Sequence, residues 1–81
     1  MPIIRTAAQA GAFLARRRMQ ARLTQAQVAE RAGVRQSTVS QIETGQGDVR
    51  LSTVLALAAA LDLDLRFEAR NWDDVPLGDL F

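Results

Sequence analysis

The chain has 81 residues, 48% hydrophobic and 23% charged, which is the size and balance of one ordinary globular domain. Cysteine and histidine are both absent, excluding disulfides, thiolate nucleophiles, histidine general bases and nearly every zinc site. The net charge of +1 hides a division: residues 1–50 set eight arginines against three acids, for +5, and residues 51–81 set two against six, for −4. Such asymmetry suggests that one end of the chain faces a polyanion.

Thr6 and Gln9 have the spacing of a capping box and open a helix of about Ala7 to Ala21. Ala7, Ala10, Gly11, Leu14 and Arg18 share one face of it, with Arg16-Arg17-Arg18 partly in solvent. Thr24 and Gln27 repeat the box and open a short second helix, which Gly33 ends. A third helix runs from about Gln36 to Glu43 and stops at Thr44-Gly45. After the loop 46–50, a fourth covers about Leu51 to Leu61, with Leu51, Val54, Leu55, Ala58 and Leu61 as its apolar stripe. The period then drops to two, as Leu63, Leu65, Phe67 and Ala69 alternate with Asp64, Arg66, Glu68 and Arg70. That pattern predicts a half-buried strand; the alternative is a frayed extension of helix four. A single strand cannot satisfy its own backbone, so pairing with a second copy is expected, with Leu63, Leu65 and Phe67 as the dimer strand. Residues 1–70 then form the domain, and 71–81 an acidic C-terminal tail carrying Trp72, Val75, Leu77, Leu80 and Phe81.

Gln25 to Ile42 carries the most specific pattern. Two helices that cross steeply after a tight turn need a small residue at closest approach, which Ala29 supplies. The turn itself needs a residue tolerant of positive φ, which Gly33 supplies. Val28, Ala32, Val34, Val39 and Ile42 face inward, leaving Gln36, Ser37, Ser40 and Gln41 outward on the third helix. This is the helix-turn-helix arrangement, whose second helix can lie in the major groove of DNA with its N-terminal residues at base edges. Gln36 and Gln41 offer the paired donor and acceptor that suit adenine, and Ser37 and Ser40 let the helix approach closely. Arg35 reaches a phosphate or a guanine. Thr24 and Gln25, at the positive start of helix two, are candidate phosphate contacts together with Thr38 and Thr44. The plainer alternative is that these polar residues only solvate a surface helix.

Residues 11–61 resemble the Xre/Cro repressor-type helix-turn-helix family. The resemblance is carried by Leu14 and Arg18, by Leu23-Thr24-Gln25, by Val28 to Val34 and by Gln36 to Gly45. It implies an all-α, lambda-repressor-like domain of four compact helices, and it places base reading on Arg35, Gln36, Ser37 and Ser40. Two departures stand out: Arg35 replaces the usual small capping residue, and Arg22 stands where glycine is common. Val49 to Leu55 and Ala60 to Phe67 narrow the resemblance to HipB-like antitoxins, whose fourth helix runs into a strand paired between subunits. That implies an autorepressed operon, an inverted-repeat DNA operator, and a HipA-like serine/threonine kinase toxin as partner. Trp72 matches, by location only, a tryptophan that docks on the toxin.

The competing readings are a solitary Xre-type regulator without a toxin and a protein-interaction module that does not bind DNA. An enzyme is not expected. Asp73 and Asp74 lack a dry pocket to raise one pKa, no base stands ready to activate a serine, and no glycine-rich phosphate loop follows a strand. Neither a cofactor nor a metal is implied. No apolar run approaches the roughly 18 residues that cross a bilayer, and Met1-Pro2-Ile3-Ile4 is too short for a secretion signal, so a cytoplasmic protein is expected.

Overall fold

A computed structural model describes residues 3–70, which form α1 (Ala7–Gln20), α2 (Gln25–Ala32), α3 (Gln36–Glu43) and α4 (Leu51–Ala60). All four helices stop in the same way. A residue in the left-handed region turns the chain, and its own N–H and that of the next residue bond back onto the last turn. Arg22, Gly33, Gly45 and Asp62 hold these positions, with φ of 58°, 71°, 71° and 58°. The backbone bonds Leu23 to Arg18, Val34 to Ala29, Gln46 to Gln41 and Leu63 to Ala58 close the motifs at 2.8–3.1 Å. Starts are less uniform. Thr24 and Gln27 form a complete capping box on α2. Thr6 caps α1 by accepting from Gln9, but the Gln9 side chain reaches one residue further back, to the Arg5 N–H. Arg35 and Arg50 open α3 and α4 without any side-chain cap.

Each helix contributes to one core of Leu14, Val28, Ala29, Val39, Ile42, Leu57 and Leu61. Gly11 lets α1 lie directly on α3, because a Cβ there would run into the Ile42 carbonyl oxygen. Gly45 serves twice: its φ is positive, and a Cβ would come within 2.9 Å of the Ala8 Cα.

One expectation is corrected. The inward face of α4 is Leu57, Ala58 and Leu61 with Val54 half-buried, whereas Leu51 and Leu55 point outward and are 56% and 45% exposed. Leu57, absent from the expected stripe, is among the most buried side chains. The sequence of α4 is apolar nearly all round, so its periodicity does not select a face. The strand expected after α4 is one paired with a second copy; in the single chain residues 63–69 have no regular secondary structure. A ladder requires a second strand, and among the described residues there is none. Leu63 packs against the core, while Leu65 and Phe67 are exposed, Phe67 by 84%. Trp72 and the rest of 71–81 lie outside the described residues.

One polar network crosses the interior. Arg18 Nε and Nη2 donate to the two oxygens of Glu43 at 2.7 and 3.0 Å, and Nη1 donates to the Leu23 carbonyl at 2.8 Å. Gln25 Nε2 donates to Glu43 at 3.0 Å. The network joins α1, the start of α2 and the end of α3. Both charged side chains are largely hidden, at 14% and 7% exposure. Burial by itself raises the Glu43 pKa; the hydrogen bonds from Arg18 and Gln25 and the Arg18 charge outweigh it and hold the carboxyl below its ordinary value of 4.5.

Two outcomes follow for stability. An arginine in the left-handed region costs roughly 1–2 kcal/mol against a residue without a Cβ. Arg22→Gly is therefore expected to raise stability by about 1 kcal/mol, read as a higher denaturation midpoint with an unchanged m-value. Because the Glu43 carboxyl is depressed in the folded chain, its contribution is complete above the ordinary glutamate range and drains away as pH falls through the lower folded value. Glu43→Gln should cost about 2 kcal/mol near neutrality. It should also remove part of the acid-side slope, so that the stabilities of the two chains converge as pH falls through the depressed Glu43 value.

Candidate nucleic-acid interface

The α2–α3 pair is a helix-turn-helix. Ala29 is buried at the crossing, Gly33 makes the turn at φ 71°, and Val39 and Ile42 anchor α3 from beneath. Successive residues of a helix turn by about 100°, so Gln36, Ser40, Thr44, Ser37 and Gln41 fan over roughly 140° on the side away from Val39 and Ile42. Gln36, Ser37, Gln41 and Thr44 are exposed and Ser40 is half-buried. The structure thus brings together on one arc four of the residues read as base contacts. Arg35 is exposed at the start of the same helix.

The residues read as phosphate contacts are more scattered. Thr24 is exposed, with its hydroxyl accepting from the Gln27 N–H at 3.1 Å. Gln25 is half-buried and its amide is held by Glu43, so it is oriented toward the interior network in this chain. Thr44 donates its hydroxyl to the carbonyls of Ser40 and Gln41. Thr38 is half-buried on the flank of α3, turned toward α4 rather than along the reading arc.

That flank holds a feature the sequence reading missed. A groove of about 610 Å³ runs between the start of α3 and the start of α4, with Arg35, Thr38 and Gln41 on one wall and Asp48, Arg50 and Thr53 on the other. Arg50 entered the sequence reading as one of eight cations and as part of the Val49 to Leu55 stretch, not as a site residue. The signal that marks it is its place as the N-cap of a helix, where an oxygen-bearing side chain is usual. Among the described residues, no group of acids could hold a metal ion, and no helix is long and apolar enough to cross a membrane.

The family described as "Helix-turn-helix domain" matches residues 9–70. The antitoxin HigA1 of Mycobacterium tuberculosis, in its CDC 1551 / Oshkosh and H37Rv strains, is 49% identical over 49 residues. That covers 60% of this chain, which spans only 33% of the length of those curated relatives. Among solved structures, the HipA-HipB-O2-O3 complex contains a chain that superposes with a TM-score of 0.80 at 22% identity, covering 88% of this chain and all of that one. At that identity the likeness is one of fold. The restriction-modification controller protein C.AhdI from Aeromonas hydrophila superposes with a TM-score of 0.68 at 34% identity, covering 72% of this chain and 88% of its own. From the small crossing residue through the left-handed turn to the matched span, the chain belongs to the helix-turn-helix domain family, in its Xre/Cro-type form.

Proposed function

We propose that this chain is a sequence-specific DNA-binding repressor that works as a homodimer and acts as the antitoxin of a HipBA-like system. In that role it represses its own operon and holds a HipA-like serine/threonine kinase toxin. The observation that carries the DNA-binding part is the polar arc of α3, raised on a buried apolar base and set in the half of the chain that carries +5. Two copies would insert their α3 helices into successive major grooves of an inverted repeat, about 34 Å apart. Arginine contacts with phosphates would supply affinity, and Gln36, Ser37, Ser40 and Gln41 the choice of sequence. Leu51, Leu55, Leu65 and Phe67, exposed on α4 and the segment after it, support the second copy, since a monomer gains nothing by leaving them in water. The antitoxin role is supported by the identity with HigA1 and by the fold shared with HipB in complex with HipA. A second reading, a regulator without a toxin, is favoured by the likeness to a restriction-modification controller.

Two measurements test these roles. A duplex selected from a randomised pool by the wild-type chain should bind Gln36→Ala more weakly by ~1–3 kcal/mol, while a scrambled duplex binds both alike. Equal losses on the two duplexes would remove Gln36 from base reading. Co-expression with the adjoining reading frames should yield a stable complex with a kinase-like product. Purification of the chain alone from every such pair would favour the solitary regulator.

A further inference from the structure

The run Arg16-Arg17-Arg18 sends its three side chains to three different places. Arg16 is exposed, Arg18 is bound to Glu43 and Leu23, and Arg17 is half-buried, its Nε donating to the Leu61 carbonyl at 3.2 Å. Arg17 stands three residues after the buried Leu14, and so on the core-facing side of α1. Leu61 is the C-cap of α4, and among the described residues no backbone N–H reaches its carbonyl. A helix C-terminus leaves such carbonyls without partners and favours a cation beside them. Arg17 supplies the donor and the charge together, from 44 positions earlier in the chain.

The position of this bond gives it a use beyond capping. α1 and α2 pack on α3, while α4 packs on α2. Among the described residues, Arg17 to Leu61 is the one hydrogen bond that joins α1 to the end of α4. Otherwise the two helices meet through apolar contact in the shared core, which is not directional. Directly beyond Leu61 the chain turns at Asp62, with φ of 58°, and enters residues 63–69, the segment read as the dimer strand. The root of that segment is thus tied to the helix against which α3 is seated. We propose that Arg17 is a positioning residue of the homodimer. It locks the exit of the dimer segment to α1, and so fixes the separation and angle of the two α3 helices. In this role it touches neither DNA nor the second copy. The assignment rests on the dimeric DNA-binding reading and adds Arg17 to it.

The absence of cysteine makes the test direct. Ala26→Cys, at an exposed position of α2, places one spin label on each full-length chain, and pulsed dipolar EPR reads the distance between copies in the free homodimer. Arg17→Met keeps the apolar stem and removes the donor, Arg17→Ala removes both, and Arg17→Lys keeps a donor and a charge. Thermal melts and sedimentation establish that each variant is folded and dimeric. Against the narrow distribution expected with Arg17, Arg17→Met and Arg17→Ala are expected to broaden it, and Arg17→Lys to bring it back toward the original width. The unlabelled chains are then titrated onto a selected inverted repeat, onto the same duplex with the half-sites moved by one base pair, and onto a single half-site. Arg17→Met is expected to discriminate about fivefold less between the two spacings, the worth of one ordinary hydrogen bond, with half-site affinity unchanged. An unchanged distance distribution and an unchanged spacing ratio in the dimeric variants would overturn the assignment and leave the dimer standing. A loss on the single half-site equal to that on the full repeat would make Arg17 a phosphate contact, and would overturn it too. A wild-type chain that shows no distance between copies, or no duplex binding at low salt, would overturn the dimeric DNA-binding reading itself, and the assignment with it.

Discussion

The seating of α3 is the constraint from which the candidate interface follows. Val39 and Ile42 press it onto the core, Gly11 allows α1 to meet its backbone without an intervening side chain, and Glu43 ties its last turn to Arg18 and Gln25. These fixings all act on one side of an eight-residue helix. A helix so short is not stable by itself, and its geometry is supplied by what it packs against. The opposite side is then left free of structural duty, and the polar residues there are available to a partner without loss of fold.

The polar network has a cost as well as a use. A hidden ion pair must recover the desolvation of both groups, and an apolar replacement of the same shape often does as well for stability. What an apolar trio could not do is fix direction. The forked guanidinium of Arg18 meets both oxygens of Glu43 in a plane, and its remaining nitrogen holds the Leu23 carbonyl just before α2 begins. Three helices are thereby set in angle as well as in distance. The angle between α2 and α3 is the quantity on which groove insertion depends, so directional bonding at this point serves the interface more than it serves stability.

Much of this was legible in the residues, and the reasons are local. Thr24 with Gln27, Gly33 and Gly45 are signals whose meaning does not depend on distant parts of the chain, and α2 and α3 begin and end where those residues say. The inward positions of α2 and α3 were equally plain, because each helix is polar on its far side. The face of α4 was not. Leu-Ser-Thr-Val-Leu-Ala-Leu-Ala-Ala-Ala from Leu51 to Ala60 offers an apolar residue at nearly every angle, and only the packing of α2 against it selects Leu57 over Leu55. The alternation after Asp62 is a pattern for a pair of strands, and one chain supplies only one. The groove beside α3 was hidden for a third reason: Arg35, Asp48 and Arg50 are separated in sequence by a helix and a loop, and no periodicity connects them.

The ambiguity of α4 has a physical meaning of its own. A helix that is apolar on two sides has two surfaces to cover, and only one of them is covered by this chain. The first turn of α4 carries Arg50 and Thr53 on the groove beside α3, and Leu51, between them in sequence, points outward with Leu55. In the proposed dimer the same short helix would touch the second copy with its leucines while its other face packs against α2. The distance between the two α3 helices would be set through a single rigid element of ten residues rather than through a linker. Half-site spacing is a geometric demand with little tolerance, and a helix shared by both contacts meets it with the fewest movable parts.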